Sequence, residues 1–356
     1  MCLSAGIPQN PQVKHQMAEN VMDHIVADLR TSAAKHFPQH GELKNVRLVG
    51  HTPKTDHFIY DVVIDFETGS ERIAAKVYRA SKSGQQNARN LARQEFENLT
   101  QVYSLFEKKG MEGVPRPIGD YSEYCAVVTQ KFVGVPLQSI IMKGALLPGF
   151  ADNGALAMAA TMTGHWLRNF QKCTADMPEP FDSAALMEEL EALCQNCKGE
   201  GLDDAAIRTI LSGARKTLAH AKKTLPSSAV LNEFNPLNVI VGEKGISFNE
   251  FAQMKTRGSA LHDAAQFLAC IEALEKYPFC NRTITSQVQE NFIEAYGVTG
   301  AEEAVLRVLK MRALLSMFAQ GRNTAKESAV RKKVMWATVM KRFIQQAAQR
   351  SLAPAA

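Results

Sequence analysis

The chain has 356 residues, of which 46% are hydrophobic and 22% charged, so it is long enough to bury one large or two modest cores. The formal net charge of +5 comes from 41 basic and 36 acidic residues, an imbalance too small to require a nucleic-acid partner. The sequence shows neither the apolar run of a signal peptide nor a stretch long enough to span a membrane. Its seven cysteines form no disulfide framework, which favours the reducing cytoplasm.

The first third of the chain predicts a small antiparallel sheet accompanied by a helix. Residues 1–16 are predicted to be a loose N-terminus, and residues 17–36 have the composition of a helix. Four segments are rich in β-branched and aromatic residues, which is typical of strands. These segments are residues 45–49, 58–66, 72–79 and 125–133. A further helix is predicted at residues 85–108, before the last of these strands.

After about residue 135 the sequence becomes mainly helical. The helical patterns are residues 152–172, 183–197, 203–224, 259–276, 284–296 and, with breaks, 301–349. A β-rich insert at residues 230–251 interrupts them, and residues 351–356 are predicted to be a loose end. The order of these elements predicts an α+β protein with a sheet-containing lobe at 17–134 and a helical lobe at 135–350, which meet near residues 130–134.

Lys76 lies in the middle of the strand predicted at residues 72–79. Because side chains alternate along a strand, Ala74, Lys76 and Tyr78 share one face. The small alanine beside the lysine leaves room for a flat ligand to lie against the sheet. Taken alone, however, Lys76 also fits a surface lysine on a half-exposed strand.

Glu95 lies within the apolar stripe of the helix predicted at residues 85–108. The apolar members of that stripe are Leu91, Leu99, Val102 and Phe106. A carboxylate that faces a core is costly unless a cation pairs with it, and Glu97, by contrast, points away from the stripe. Lys76 on the neighbouring strand is the natural partner of Glu95. The alternative is a glutamate at the edge of the stripe that reaches solvent.

This strand and helix resemble the lysine–glutamate pair of protein kinases. The segment 113–137 reads GVPRPIGDYSEYCAVVTQKFVGVPL and resembles the aminoglycoside phosphotransferase and choline kinase family, which has a VPRPI followed by a strand that ends near a glycine. The resemblance implies that Lys76, held by Glu95, binds the α- and β-phosphates of ATP. It also implies that backbone amides of the hinge bind adenine, and the hinge residues are Gln130, Lys131 and Phe132.

Residues 230–241, VLNEFNPLNVIV, resemble the catalytic loop of the same family, whose pattern is H-G-D-F-x-P-x-N. The matching residues are Phe234, Pro236 and Asn238, whereas Leu231, Asn232 and Glu233 replace the histidine, glycine and aspartate. The resemblance implies that Glu233 is the base that accepts the proton of the substrate hydroxyl. It also implies that Asn238 binds a magnesium ion.

Residues 245–253, GISFNEFAQ, resemble the metal-binding loop of the family. Glu250 takes the place of the magnesium-binding aspartate, and Asn249 is the alternative if the register shifts by one residue. Further along, Asp263 matches the acid that braces the catalytic loop. An acid in the first turn of the helix at residues 259–276 is an equally good interpretation of Asp263.

The resemblance covers about residues 45 to 270 and implies a protein-kinase-like bilobal fold, with a small antiparallel sheet and one helix in the N-lobe and a large, mainly helical C-lobe. The implied activity is an ATP- and Mg²⁺-dependent kinase that phosphorylates a hydroxyl group of a small molecule. No feature identifies the acceptor or the oligomeric state.

Two alternatives remain. Replacing aspartate by glutamate at positions 233 and 250 moves each carboxylate outward by ~1.5 Å. A misplacement of roughly 1 Å can cost on the order of 100-fold in rate. A pseudokinase that binds nucleotide or a protein partner without turnover is therefore one alternative, and a helical interaction protein is the other.

Overall fold

The structure, a computed structural model, describes residues 11–147, 149, 152–198, 202–277, 279–326 and 339–351. The chain divides into two compact units. The first comprises residues 1–104 and 114–132, and the second comprises residues 105–113 and 133–356. The sequence predicts a single boundary at residue 134, and the division differs from it by assigning residues 105–113 to the second unit.

The first unit is built on a five-stranded antiparallel sheet with the strand order β1-β2-β3-β5-β4. Its strands are β1 (Leu43–Pro53), β2 (His57–Phe66), β3 (Ser70–Tyr78), β4 (Pro117–Tyr121) and β5 (Ala126–Gln130). Its helices are α1 (Pro11–His36), α2 (Ala80–Ser83) and α3 (Gln85–Lys108). The last turn of α3, from residue 105, belongs to the second unit. The α+β class and the antiparallel pairing predicted from the sequence are confirmed.

One face of this sheet is apolar because every second residue of β2 is apolar. The side chains of Tyr60, Val62, Ile64 and Phe66 are buried in a core that they share with α1. From α1, the buried residues recur every three or four positions, as expected for one face of a helix; they are Met22, Ile25, Leu29 and Ala33. The opposite face of the sheet carries Lys76.

The start of α1 corrects the predicted loose N-terminus. The sequence places residues 1–16 outside the helix, but α1 begins at Pro11, and only residues 1–10 lie outside the described part of the chain. Proline is well tolerated in the first turn of a helix, while the polar residues that follow lack an apolar period that would reveal it. Both helices that the sequence pattern predicts here, at residues 17–36 and 85–108, are present as α1 and α3, whereas the family resemblance implied only one.

The second unit is mainly helical. Its helices are α4 (Leu137–Leu146), α5 (Asn153–Cys173), α6 (Ser183–Asn196), α7 (Asp204–Leu218), α8 (Leu261–Ala273), α9 (Arg282–Tyr296), α10 (Gly300–Lys326) and α11 (Lys341–Ser351). Its strands are β6 (Val135–Pro136), β7 (Asp176–Pro180), β8 (Thr224–Val230), β9 (Val239–Gly242), β10 (Gly245–Phe248) and β11 (Lys255–Ser259). They form two three-stranded sheets, ordered β10-β9-β6 and β11-β8-β7.

One helix end differs from the prediction. The helix predicted at residues 203–224 ends at Leu218, because residue 224 begins β8 and the Lys223 carbonyl accepts a hydrogen bond from Phe181 beside β7. The helical pattern predicted with breaks over residues 301–349 corresponds to α10 and α11, and residues 327–338 lie outside the described residues. The loose end predicted at 351–356 also lies outside them, apart from Ser351, which ends α11.

In the described chain, no helix combines the length and apolar composition of a membrane span.

Aromatic rings form the core of the second unit beneath the segment that contains Glu233. Trp166 stacks on Phe234, with ring centroids 5.8 Å apart, and Phe234 also lies 5.5 Å from Phe248 and 5.6 Å from Phe267. Phe234 is fully buried. This packing fixes the backbone directly after Glu233 to the helical core.

Candidate active site

Lys76 and Glu95 form a buried ion pair in the first unit. Lys76 Nζ donates a hydrogen bond of 2.7 Å to Glu95 Oε1, and the two side chains are 11% and 3% exposed. The predicted pairing is therefore confirmed, and the solvent-reaching glutamate is wrong. Such a pair is stable in a core only where the remaining polar atoms are also satisfied.

Tyr78 supplies a second hydrogen bond to the same carboxylate, which the sequence reasoning missed. Its hydroxyl donates to Glu95 Oε2 at 2.6 Å, and both side chains are buried. The signal was present in the sequence, because Tyr78 lies two residues after Lys76 on the same strand face.

The ring of His57 packs against Tyr78, with centroids 5.6 Å apart. His57 is buried, and its Nδ1 lies 2.9 Å from Asp56 Oδ1. Burial is the main cause that lowers the pKa of His57, while the hydrogen bond with His57 is the main cause that lowers the pKa of Asp56. The lowered pKa of His57 indicates that the ring is neutral at neutral pH, and the lowered pKa of Asp56 indicates that its carboxylate is ionised.

The register of the sheet defines the surface beside Lys76. Lys76 pairs with Ile59 on β2 and Val127 on β5, and Ala74 pairs with Asp61 and Thr129. Because directly paired residues of antiparallel strands point to the same face, these side chains surround Lys76 and Ala74 on one surface. Next to the ammonium this face carries the apolar side chains of Ile59, Val127 and Ala74, and further along it carries Thr129 and the carboxylate of Asp61, which pairs with Lys131.

The hinge residues lie at the end of this surface, but two of their amides are already engaged. The amide of Gln130 donates to the Arg116 carbonyl and that of Lys131 donates to the Arg72 carbonyl, both at 2.8 Å. Among the described residues, the structure shows no acceptor for the amide of Phe132. Two of the three hinge amides that the resemblance implies thus have acceptors within the protein.

Asp263 braces the segment that precedes Glu233. Its two carboxylate oxygens accept hydrogen bonds from the amides of Leu231, at 2.8 Å, and Asn232, at 2.9 Å. Asp263 is 1% exposed, and burial raises its pKa to about 7 although both amide hydrogen bonds oppose the shift. Of the two interpretations that the sequence left open, the structure supports the brace.

Asn232, which replaces the glycine of the pattern that the sequence resembles, adopts a left-handed backbone conformation. Its φ of +62° lies in the left-handed region, which asparagine tolerates better than most residues. Its side-chain amide donates to the Gln253 carbonyl at 2.7 Å. Together with the pairing of Val230 with Lys255, this bond holds the predicted catalytic and metal-binding segments side by side.

Glu233 is exposed at the tip of a tightly bonded loop. The side-chain amides of Asn235 and Asn238 both donate to its backbone carbonyl, at 3.0 and 3.1 Å. Asn235 Oδ1 in turn accepts hydrogen bonds from the amides of Leu237 and Asn238. Because Asn238 uses its nitrogen in the loop, its Oδ1 is the atom through which it would bind a cation.

Asn249 and Glu250 follow β10 and are half-buried. The next residues, Phe251 and Ala252, are buried, so the core anchors this segment just after Glu250. Within the described ranges, no three His, Cys, Asp or Glu side chains gather as a metal site. A cation here would therefore depend on Asn238, on one residue of this segment and on ligands from a bound substrate.

Comparisons with known proteins give similarity in structure only. No family model matches the sequence, and no curated protein is significantly similar to it. The chain is similar to a glucosamine kinase solved with glucosamine, ADP and inorganic phosphate, at 13% identity and a TM-score of 0.47, covering 88% of this chain and 96% of that one. It is also similar to a choline kinase from Streptococcus pneumoniae, at 11% identity and a TM-score of 0.46, covering 92% and 99%.

An amicoumacin kinase solved with AMP-PNP, Ca²⁺ and its antibiotic is a third similar structure, at 10% identity and a TM-score of 0.48, covering 90% of this chain and 93% of that one. All three structures are small-molecule kinases, the group that the sequence resembles. At these identities the likeness concerns the fold. Activity, substrate and cofactor are inferred below from the residues of this chain.

Proposed function

We propose that this protein is an ATP-dependent kinase that transfers a phosphoryl group to the hydroxyl of a small molecule. The observation that carries the proposal is the buried pair of Lys76 and Glu95 beside a strand face that presents the half-buried apolar side chains of Ala74 and Ile59. A buried ammonium is costly to maintain, and its position next to such a surface suits a ligand with an aromatic base and an anionic tail.

The first unit would bind the nucleotide. The ammonium of Lys76, oriented by Glu95, would contact the α- and β-phosphates. The base would lie over Ala74 and Ile59, which are half-buried, with the amide of Phe132 as a donor to its edge. This arrangement holds charge in a fixed position, which is the main contribution a protein makes to phosphoryl transfer.

The second unit would supply the metal ligands. Asn238 Oδ1 and the Glu250 carboxylate, or Asn249 in the shifted register, are oxygen donors of the kind that Mg²⁺ prefers. Mg²⁺ usually retains waters and binds substrate phosphates, so a protein site with few ligands is sufficient. When bound, the ion would neutralise charge on the transferring phosphoryl group.

Glu233 would accept the proton of the acceptor hydroxyl. Its exposed side chain extends from a loop whose backbone is fixed by Asp263, Asn235 and Asn238. The amides of Leu231 and Asn232 and the carbonyl of Glu233 are all held, so the backbone of Glu233 is fixed. The longer glutamate side chain therefore reaches further out than an aspartate would. This proposal therefore requires an acceptor hydroxyl that lies correspondingly further from the loop.

A pseudokinase is the second candidate, and the substitution at residue 231 favours it. Leu231 is fully buried where the family has a histidine, so this position has lost its polar side chain. In the pseudokinase interpretation the first unit binds nucleotide, but the loop at Glu233 does not promote transfer.

The substitution Glu233→Gln separates the two candidates. The kinase proposal expects Mg²⁺-dependent ATP hydrolysis by the wild type and a loss on the order of 100-fold or more in the variant, because amides cannot accept the proton. The melting temperature should not change, since Glu233 is exposed. Hydrolysis is measured with and without Mg²⁺.

The matched control is Glu243→Gln, another exposed acid of the second unit in the turn between β9 and β10, which should keep wild-type activity. Equal hydrolysis by the wild type and Glu233→Gln would refute the role of Glu233. Nucleotide binding without measurable hydrolysis by the wild type would favour the pseudokinase.

A further inference from the structure

Lys76 and Tyr78, which both donate hydrogen bonds to Glu95, differ in what they can do when a ligand binds. Lys76 Nζ bonds to Oε1 at 2.7 Å, and the Tyr78 hydroxyl bonds to Oε2 at 2.6 Å. An ammonium has three donor hydrogens and a flexible stem, so it can share itself between a carboxylate and a phosphate. A phenol hydroxyl has a single hydrogen and remains with one acceptor.

The arrival of an anion at Lys76 weakens the hold of the ammonium on Glu95. A glutamate released from its partner would regain rotamer freedom. The ammonium of Lys76 would then lose the carboxylate that orients it. The hydrogen bond from Tyr78 prevents this, because it acts on the other carboxylate oxygen. Glu95 therefore keeps its position while the ammonium of Lys76 donates a hydrogen bond to the ligand.

Tyr78 is well suited to this task because its own position is fixed. It is 3% exposed and ends β3, where it pairs directly with His57. The His57 ring packs on the phenol ring, and Asp56 in turn holds His57 through Nδ1. The phenol thus has few alternative positions, and little entropy is lost in keeping its hydroxyl on Glu95.

We propose that Tyr78 is a positioning residue, which keeps Glu95 fixed so that Lys76 can bind the phosphates of a nucleotide without leaving its place. This inference rests on the proposed function. It assigns to Tyr78 a role in ligand affinity, in addition to the stability that any buried hydrogen bond provides.

The substitution Tyr78→Phe tests the proposal because it removes the hydroxyl and keeps the ring that packs on His57. The matched control is Tyr121→Phe, which removes another tyrosine–carboxylate bond of the first unit, from Tyr121 to Asp28 at 2.5 Å. Affinity for ATP with Mg²⁺ is measured by calorimetric titration, and the melting temperature is measured separately. Hydrogen bonds to charged groups predict a loss in affinity of roughly tenfold for Tyr78→Phe and none for Tyr121→Phe.

The outcomes are distinguishable. If the wild type binds nucleotide and Tyr78→Phe binds it as tightly as Tyr121→Phe does, the role of Tyr78 is refuted and the proposed function stands. If the wild type does not bind nucleotide at all, both the proposed function and this inference fail.

A shape-preserving replacement provides a second test should Tyr78→Phe not fold. Difluorotyrosine at position 78 keeps the ring and the hydroxyl and makes the hydroxyl a stronger hydrogen-bond donor. Because burial and the neighbouring carboxylate both favour the protonated phenol, the proposal expects this variant to bind the nucleotide at least as tightly as the wild type. A tenfold loss of affinity in this variant would overturn the proposal.

Discussion

Replacing Asp263 with alanine is expected to lower the free energy of unfolding by about 3 kcal/mol. The side chain accepts hydrogen bonds from the amides of Leu231 and Asn232, and it is almost completely buried. Without it, two buried amides lose their acceptor, and each such loss costs about 1–3 kcal/mol. Urea-induced unfolding measures the difference.

Asp203→Ala is the matched control. Asp203 also accepts an amide hydrogen bond, from Ala206 at the start of α7, but it is exposed and accepts only that one among the described residues. Loss of such a cap costs about 1 kcal/mol. If Asp263→Ala cost no more than Asp203→Ala, Asp263 would not brace the loop.

The pH dependence of stability gives Asp263 a second signature. Its folded-state pKa of about 7 lies above the ordinary value of 3.8, so its contribution is fully present below that ordinary value and is lost as the pH rises through about 7. Asp263→Asn cannot titrate. The stability of the wild type relative to Asp263→Asn is therefore expected to fall between pH 4 and pH 8, following the linkage rule.

The second large effect is expected for Glu95→Ala, at about 3–5 kcal/mol of unfolding free energy. The substitution removes the carboxylate to which both Lys76 and Tyr78 donate, and it leaves a cavity in the core beside α3. Breaking a buried ion pair by removing one member costs several kcal/mol, because the desolvated charge that remains loses its counter-charge. Chemical denaturation again provides the measurement.

Glu97→Ala is the control on the same helix. Glu97 is exposed, and surface substitutions of this kind usually change stability by less than about 0.5 kcal/mol. Similar small losses for Glu95→Ala and Glu97→Ala would mean that the buried pair does not stabilise the first unit.

The Lys76–Glu95 pair could be predicted from the strand pattern around Lys76 and the helical pattern around Glu95. Helical periodicity placed Glu95 within an apolar stripe, where a carboxylate needs a cation, and Lys76 on the neighbouring strand was the natural candidate. The sequence also left open a glutamate that reaches solvent, and the structure excludes it. The helical patterns predicted at residues 85–108, 152–172, 183–197 and 284–296 are present in the structure as α3, α5, α6 and α9.

Other features depended on pairing that periodicity does not specify. The occupied amides of Gln130 and Lys131 follow from the registers of β5 with its neighbours, and register is set by contacts between distant segments. The role of Asp263 could not be separated from that of an ordinary acid in a helix, because its two amide partners lie about thirty residues earlier in the chain. The left-handed conformation of Asn232 became evident only in the folded loop.

The most direct test of the central claim is the melting temperature of the wild type and of Lys76→Met with millimolar ATP and Mg²⁺. We predict a rise of about 5 °C for the wild type, as expected for nucleotide well above its dissociation constant, and its loss in Lys76→Met. Lys82→Met, at an exposed lysine of α2, should retain the rise. An unchanged melting temperature of the wild type, with or without Mg²⁺, would contradict nucleotide binding and with it the proposed function.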